Sequence, residues 1–455
     1  MITRRATSRI VLILALTAAA CSPREKDRVA LVGGNLIDGT GGPVLRDAVI
    51  VVYQGKIETV SPREGFKIPK TAAQVDITGK WVIPGLIDAH THLQRWSRSR
   101  YLAYGVTTVR DVHGTQDSVM ALRQEAALGV DRSPRVYVAG AMIDGAPSTY
   151  NNATEVRNGD EARRAVDARA VAGVDYIKVY TRITPQLFKP LIDEANQLNL
   201  KVTAHLGLTD AETAAQLGVI AIEHMTGVPE AAISGKGADK LYAAHRESFF
   251  KGWTAFERAW AGLDSTALSR VAKSLVEHNV FLVPTLVLHD TFSRLDDPAM
   301  LLNPDLKSVP DSEKVKWNIP DLKVRAGWTD ADFAAFRAAR PNQDLFVREF
   351  RAAGGVIAAG TDAANQLLIP GASLHTELQL LVGAGLTPSD ALLTATRNGA
   401  RLLNADSLGV VLPGKVADLV VLELSPITDI KHTRGILKVM ERGILLDPDS
   451  LKAAW

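Results

Sequence analysis

After position 28 the chain alternates apolar and polar residues in short runs. "RVALVGGNLIDGTGG", "AVIVVYQGKIETVS" and "AQVDITGKWVIP" are punctuated by glycine and proline, which predicts strands joined in hairpins. Similar text returns near the other end as "KVADLVVLEL" and "GILKVMERGILL". Neither stretch is long enough to bury a core alone. Residues 28–82 and 405–447 are therefore expected to combine into one small composite β-sandwich domain.

Between them the rhythm changes. Eight short apolar strands are predicted: "LIDAHTH", "TTVRDV", "RVYVAG", "YIKVY", "KVTAHL", "VIAIEH", "FLVPTLV" and "VIAAGTDA". Helix-like segments such as "DEARRAVDARAVAG", "PQLFKPLIDEANQLN" and "DAETAAQLG" separate several of them, the pattern of repeated βα units. Over residues 83–404 this points to an α/β fold, a (β/α)8 TIM barrel, with a doubly wound open sheet as the alternative. Two intervals, 226–262 and 289–345, exceed what a βα connection needs. Insertions after strands sit on the carboxyl face of a barrel, so both are read as walls or lids over a pocket.

Composition changes this picture little. The 455 residues are 46% hydrophobic and 22% charged, ordinary for a globular protein. The first residues add a new element: basic "MITRRATSR", apolar "IVLILAL", then "TAAAC". That apolar run is too short to span a bilayer as a stable helix and reads as an export signal. Cys21, the only cysteine, follows three alanines and resembles the lipid-acceptor cysteine of a bacterial lipoprotein signal. A plain secretory signal is the alternative. Residues 1–21 are expected to direct the protein to the cell envelope, periplasmic and anchored to the outer membrane, with the lipid at Cys21 as its one membrane contact. Losing Arg4, Arg5 and Arg9 with the signal would turn the formal +2 into −1, which gives no reason to expect nucleic acid as a partner. A single cysteine excludes an intrachain disulfide.

The chemistry gathers at strand ends. "LIDAHTH" finishes with His90 and His92, which alternation turns to one side while Thr91 points the other way. "KVTAHL" carries His205, "VIAIEH" ends at His224 and "VIAAGTDA" holds Asp362. A barrel would bring these residues to one face, and neutral imidazole is the commonest metal ligand. Lys178 lies within "YIKVY"; if Ile177 and Val179 face the helices, it points into the barrel. A bare ammonium there is costly to bury and repels a metal. As a carbamate formed with carbon dioxide it would be an anionic ligand able to bridge two cations; an ordinary ion pair with Asp362 is the alternative.

These residues and their context resemble the metal-dependent amidohydrolase superfamily, in its imidazolonepropionase-like and Xaa-Pro dipeptidase-like branch. The likeness runs through "PGLIDAHTHL", "GVTTVRDVHG", "GVDYIKVY", "VTAHLG", "VIAIEHMTG", "AAGTDA", "LLVGAGLTPSDALLTATRNGARLL" and "LGVVLPGKVADLVVLELSPITDI". The resemblance implies that His90, His92 and Asp362 bind the more buried of two divalent ions, Zn²⁺ by expectation. His205 and His224 would bind the second, with carboxylated Lys178 bridging them. It further implies hydrolysis of a small-molecule amide by hydroxide held between the metals, with Asp362 as the general base and then acid. A dipeptide, an N-acyl amino acid or a cyclic amide is the expected substrate. A mononuclear deaminase or imidazolone hydrolase of the same fold, and a non-catalytic binding lipoprotein, are the alternatives.

Two places depart from the dipeptidase pattern: "AGAMIDGAPSTYNNAT" contains no histidine, and Met225-Thr226-Gly227 replaces Gly-Thr-Tyr. His113 is read either as a substrate contact or as a strand cap, Tyr180 as rim packing, and Arg182 as a residue that could line the pocket. His375 and Glu377 are read as supporting the site or a helix start rather than as ligands. His245, His278, His289 and His432 sit at no matching strand end. The oligomeric state is left open.

Overall fold

The computed structural model describes residues 28–455 except Ser234 and Ala454; the export signal and Cys21 lie outside the described residues. Five strands come first: β1 (Val29–Leu36), β2 (Leu45–Tyr53), β3 (Lys56–Pro62), β4 (Ala73–Asp76) and β5 (Trp81–Pro84). Next are β6 (Leu86–Thr91), β7 (Val106–Asp111) and β8 (Arg135–Val138), then β9 (Ile143–Gly145) and β10 (Thr154–Val156). Then follow β11 (Ile177–Val179), β12 (Val202–Ala204), β13 (Ala221–Glu223), β14 (Phe281–Val283) and β15 (Val356–Ile357), and finally β16 (Leu419–Leu422), β17 (Ile436–Glu441) and β18 (Ile444–Leu446).

The two ends of the chain share one eight-stranded sheet in the order β18-β17-β16-β5-β1-β2-β3, with β4 beside β1. The join is antiparallel, β16 against β5, from Leu419↔Pro84 to Leu422↔Trp81. Alternation on these strands puts Leu31, Ile50, Val52, Val82, Leu419, Val421 and Met440 into one core separate from the main one. The sheet folds back on itself: Ile57 N–H donates to the Lys415 carbonyl at 2.9 Å, and Gly414 N–H to that of Ile57 at 2.8 Å.

The central region contains two parallel sheets, β6-β7-β8 and β10-β9-β11-β12-β13-β14-β15. Backbone hydrogen bonds cross between them at both margins. Ala89 N–H donates to Ala359 O (2.9 Å) and Thr91 bridges Ala363 in parallel. On the far side Asp175 N–H donates to Val138 O (2.9 Å). Gly360 permits the first of these approaches, because a Cβ there would lie 2.7 Å from the His90 Cβ.

Each of the eight predicted strands contains a strand, but the loop after β8 adds β9 and β10, which the sequence pattern did not reveal. The segment "FLVPTLV" is strand only to Val283; its last residues begin the helix Leu286–Phe292. Both long intervals are helical rather than loop. The first forms Val228–Ala232, Lys236–Glu247 and Phe249–Trp260. The second includes Asp311–Trp317, Ile319–Ala326 and the start of Asp330–Ala352. Asn318, left-handed at φ 34°, breaks the chain between the first two of these, and Pro320 fits the opening turn of the next helix. Among the described residues no helix is long and apolar enough to cross a membrane.

Candidate active site

A cavity of about 420 Å³ opens at the carboxyl ends of the parallel strands, and His90, His92, Lys178, His205, His224 and Asp362 all line it. Left-handed backbone helps place them: φ is 58° at His224 and 62° at Asp362. For residues other than glycine this costs roughly 1 kcal/mol or more each, and such strain clusters at functional sites.

The tightest part is His90, His92 and Asp362, whose ligand-type atoms lie within 4.8 Å of one another. Asp362 Oδ1 is 2.8 Å from His92 Nε2 and 3.1 Å from His90 Nε2. The opposite ring nitrogens are committed elsewhere. His90 Nδ1 donates to Glu223 Oε2 (2.6 Å) and His92 Nδ1 to the His113 carbonyl (3.0 Å). Burial alone would raise the Asp362 carboxyl, but hydrogen bonds and charge from His90 and His92 hold it well below the usual carboxylate range.

His224 and His205 stand alongside, with ring centroids 4.4 Å between His90 and His224 and 4.8 Å between His205 and His224. His224 Nδ1 shares a 2.7 Å hydrogen bond with Thr285 Oγ1, and its carbonyl accepts from His289 Nε2 at 3.1 Å. His289 is itself anchored by Glu257 at 2.6 Å. Burial, followed by neighbouring positive groups, pushes both His205 and His224 well below the ordinary imidazole value, so both are neutral. A neutral imidazole is the form that binds metal.

Lys178 is 2% exposed, and its Nζ has no hydrogen-bond partner. Among the described residues it forms no ion pair with Asp362, contrary to the alternative reading. Burial lowers its amine to about 8. An orphaned buried ammonium is rare and costly, whereas a neutral amine is the form that reacts with carbon dioxide.

Sequence reasoning missed the support beneath these residues. Glu223, fully buried, accepts from Arg110 (2.6 Å) and from Thr203 as well as from His90. Asp88 accepts from Thr361 Oγ1 (2.6 Å), and so ties β6 to the segment that carries Asp362. The signal was present: an acid inside the apolar run "VIAIEH" has no reason to be there unless it is paired. Glu377 accepts from Val287 N–H at 2.7 Å, and so supports the start of the helix Leu286–Phe292 rather than that of its own helix, Ala372–Gly383. His375 instead joins its helix to Thr433 and to the Tyr104 carbonyl, each at 2.9 Å.

The remaining lining is largely aromatic. Ser248 caps the helix Phe249–Trp260, which turns Phe249 and Trp253 to the cavity at i, i+4 spacing. The loop after β8 contributes Tyr150 and Asn152, and the second insertion contributes Phe292, Leu322 and Arg325. Tyr180 is more than rim packing: it lines the cavity with its ring 4.6 Å from that of His205. His113 also lines the cavity, its Nε2 donating to Asn152 Oδ1 (3.1 Å) and its Nδ1 accepting from Met142 N–H (3.1 Å). Arg182 turns away from the cavity and donates to the Arg246 carbonyl at 3.3 Å. Met225 and Thr226 are buried, Thr226 Oγ1 joining Leu206 N–H (2.9 Å) to the Glu223 carbonyl (2.8 Å).

Comparison with known proteins places this architecture. The sequence profile of the Amidohydrolase family matches residues 81–445. Imidazolonepropionase of Streptomyces coelicolor is 25% identical over 417 residues, spanning 86% of this chain and 90% of that protein. Dihydroorotase of Pelotomaculum thermopropionicum is 24% identical over 424 residues, spanning 87% and 89%. The crystal structure of a prolidase, so described, from Bifidobacterium longum superposes with TM-score 0.69 at 25% identity, covering 94% of this chain and 98% of that one.

Proposed function

Because the chain belongs to the amidohydrolase family and is a hydrolase of carbon–nitrogen bonds, we propose that it is a binuclear zinc amidohydrolase cleaving an amide bond in a small molecule. We also read the two parallel sheets, bonded to each other at both margins, as one closed (β/α)8 barrel with the composite sheet as its second domain.

One observation carries the catalytic reading: the partnerless, buried Lys178 Nζ shares a cavity with five histidines, four of them at predicted ligand positions, and an aspartate. The donor set suits two cations. His90, His92 and Asp362 would hold one, His205 and His224 the other, and Lys178 as a carbamate would join them. Glu223, the His113 carbonyl and Thr285 each occupy an Nδ1, so Nε2 is the nitrogen each ring would offer a metal; on His90 and His92 it faces Asp362 Oδ1, the third ligand of that set. When bound, the metals would supply Lewis acidity to the scissile carbonyl and to the attacking water. Asp362 takes the proton of that water at its carboxylate and passes it to the leaving nitrogen. The aromatic wall limits access of bulk water and sharpens the electrostatics inside.

Metal analysis of protein reconstituted with Zn²⁺ and bicarbonate tests this reading. Close to two ions per chain, falling on Lys178→Ala substitution together with hydrolysis of dipeptides or N-acyl amino acids, is the expected result. Close to one ion per chain with full activity sinks it. The export reading of residues 1–21 belongs to the same proposal and predicts that labelled palmitate attaches at Cys21.

A further inference from the structure

The helix Ile319–Ala326 puts one apolar and one cationic side chain on the same cavity face, Leu322 and Arg325, at i, i+3 spacing. Leu322 is buried, whereas Arg325 is 57% exposed at the side chain. Its Nε is held by Asp321 Oδ2 at 2.6 Å on the preceding turn. Its two terminal nitrogens have no partner among the described residues, so the guanidinium edge is available and its stem is fixed.

From His205 a series of aromatic rings runs along the lining of the cavity that Leu322 and Arg325 also line. The Phe249 ring centre is 6.1 Å from that of His205, Trp253 follows at 6.3 Å, and Phe292 lies 6.2 Å from Trp253. Among the described residues, Lys178 at the base and Arg325 are the only lysine and arginine lining the cavity. Among the described residues the only carboxylate lining the cavity is Asp362, also at the base; Asp321 pairs with Arg325 without lining the cavity. An occupant reaching from the base to the rim therefore meets aromatic rings first and next a guanidinium that is paired with Asp321 through Nε and presents two unpartnered terminal nitrogens. That order matches a bulky apolar group followed by a carboxylate, which a guanidinium can bind with two parallel hydrogen bonds.

We propose that the cavity selects anionic amides, namely N-acyl amino acids or dipeptides with a large apolar side chain, and that Arg325 binds their free carboxylate. The proposal rests on the amidohydrolase reading of the same cavity and narrows it: a neutral cyclic amide offers nothing to Arg325. The volume of about 420 Å³ suits a ligand of this size.

Binding and turnover test it separately in the metal-loaded enzyme. N-benzyl-L-phenylalanine has an amine where the substrate has an amide, so it binds without being cleaved. Calorimetry is expected to show it binding about tenfold more tightly than its carboxamide. Arg325→Gln should bring the two within about twofold of each other, and Arg325→Lys should restore part of the gap through its charge. Phe249→Ala should weaken both ligands. Equal binding of acid and carboxamide by the wild-type protein, or a gap that survives Arg325→Gln, overturns the proposal. A gap that behaves as expected while N-benzoyl-L-phenylalanine and other amides stay intact upholds this recognition site and removes the hydrolase assignment of the cavity instead.

Discussion

On the base of the cavity, His90, His92, Lys178, His205, His224 and Asp362 come from strands or strand ends, and Glu223, Thr285 and the His113 carbonyl fix three of their rings. On the facing wall, Phe249, Trp253, Phe292, Leu322 and Arg325 come from helices inserted between strands. The base is held by hydrogen bonds at 2.6–3.1 Å. The wall is held by ring contacts and by helix spacing. Geometry of the first kind tolerates almost no change, because most of its polar groups are buried and held by hydrogen bonds. Geometry of the second kind can be repacked. The contrast assigns chemistry to the base and choice of substrate to the wall.

The largest effect should follow a change on the base. Asp362→Asn removes the proposed proton acceptor and should lower kcat by about 10³-fold with the fold intact, checked by steady-state kinetics beside circular dichroism. Retained activity would put the chemistry elsewhere. Next comes Glu223→Gln, which touches no substrate but loosens His90 and leaves Arg110 without its charged partner. Activity should fall about 10- to 100-fold and metal should dissociate more readily, as dialysis against a chelator would show. If this change acted only on thermal stability, the distinction between anchored base and repackable wall would be wrong. On the wall, Phe249→Ala should raise KM by about 3- to 10-fold for aromatic substrates with little change in kcat.

The smallest effect lies outside both regions. Burial, then the Arg434 charge, holds His375 down to about 3, far below the ordinary imidazole value of about 6.5. The unfolded chain therefore binds a proton that the folded chain refuses. Stability from this group is complete above about pH 6.5 and drains as pH falls toward 3, by at most about 1.4 kcal/mol per pH unit. His375→Gln should flatten that slope in urea unfolding measured between about pH 7 and pH 4. An unchanged slope would mean that the histidine is solvated.

The same contrast explains what could be read from the chain. The residues of the base were legible because each stands in or at the end of an apolar strand with a side chain that has no business in a core. Glu223 was passed over beside His224: an acid inside an apolar run signals a buried pair, but nothing in the run names the partner. That partner, Arg110, lies in a different strand. The wall was legible only as extra length. Helical spacing can suggest that Phe249 and Trp253 share a face, but not that the face overlooks His205. Tyr180 was underread and Arg182 overread for a related reason. They lie beyond the end of β11, where the alternation that oriented Lys178 no longer applies. β9 and β10, three residues each, were too short to leave a pattern.

The pairing of β16 with β5 also sets the order in which the molecule can be completed. β5 runs through Gly85 straight into the strand that carries His90, and Gly85 N–H donates to the Asp418 carbonyl at 2.7 Å. During synthesis that hydrogen-bonding edge waits, open, while the region of the two parallel sheets is translated, and its pairing brings together segments very distant in the chain. A ribosome therefore begins the eight-stranded sheet first and finishes it last.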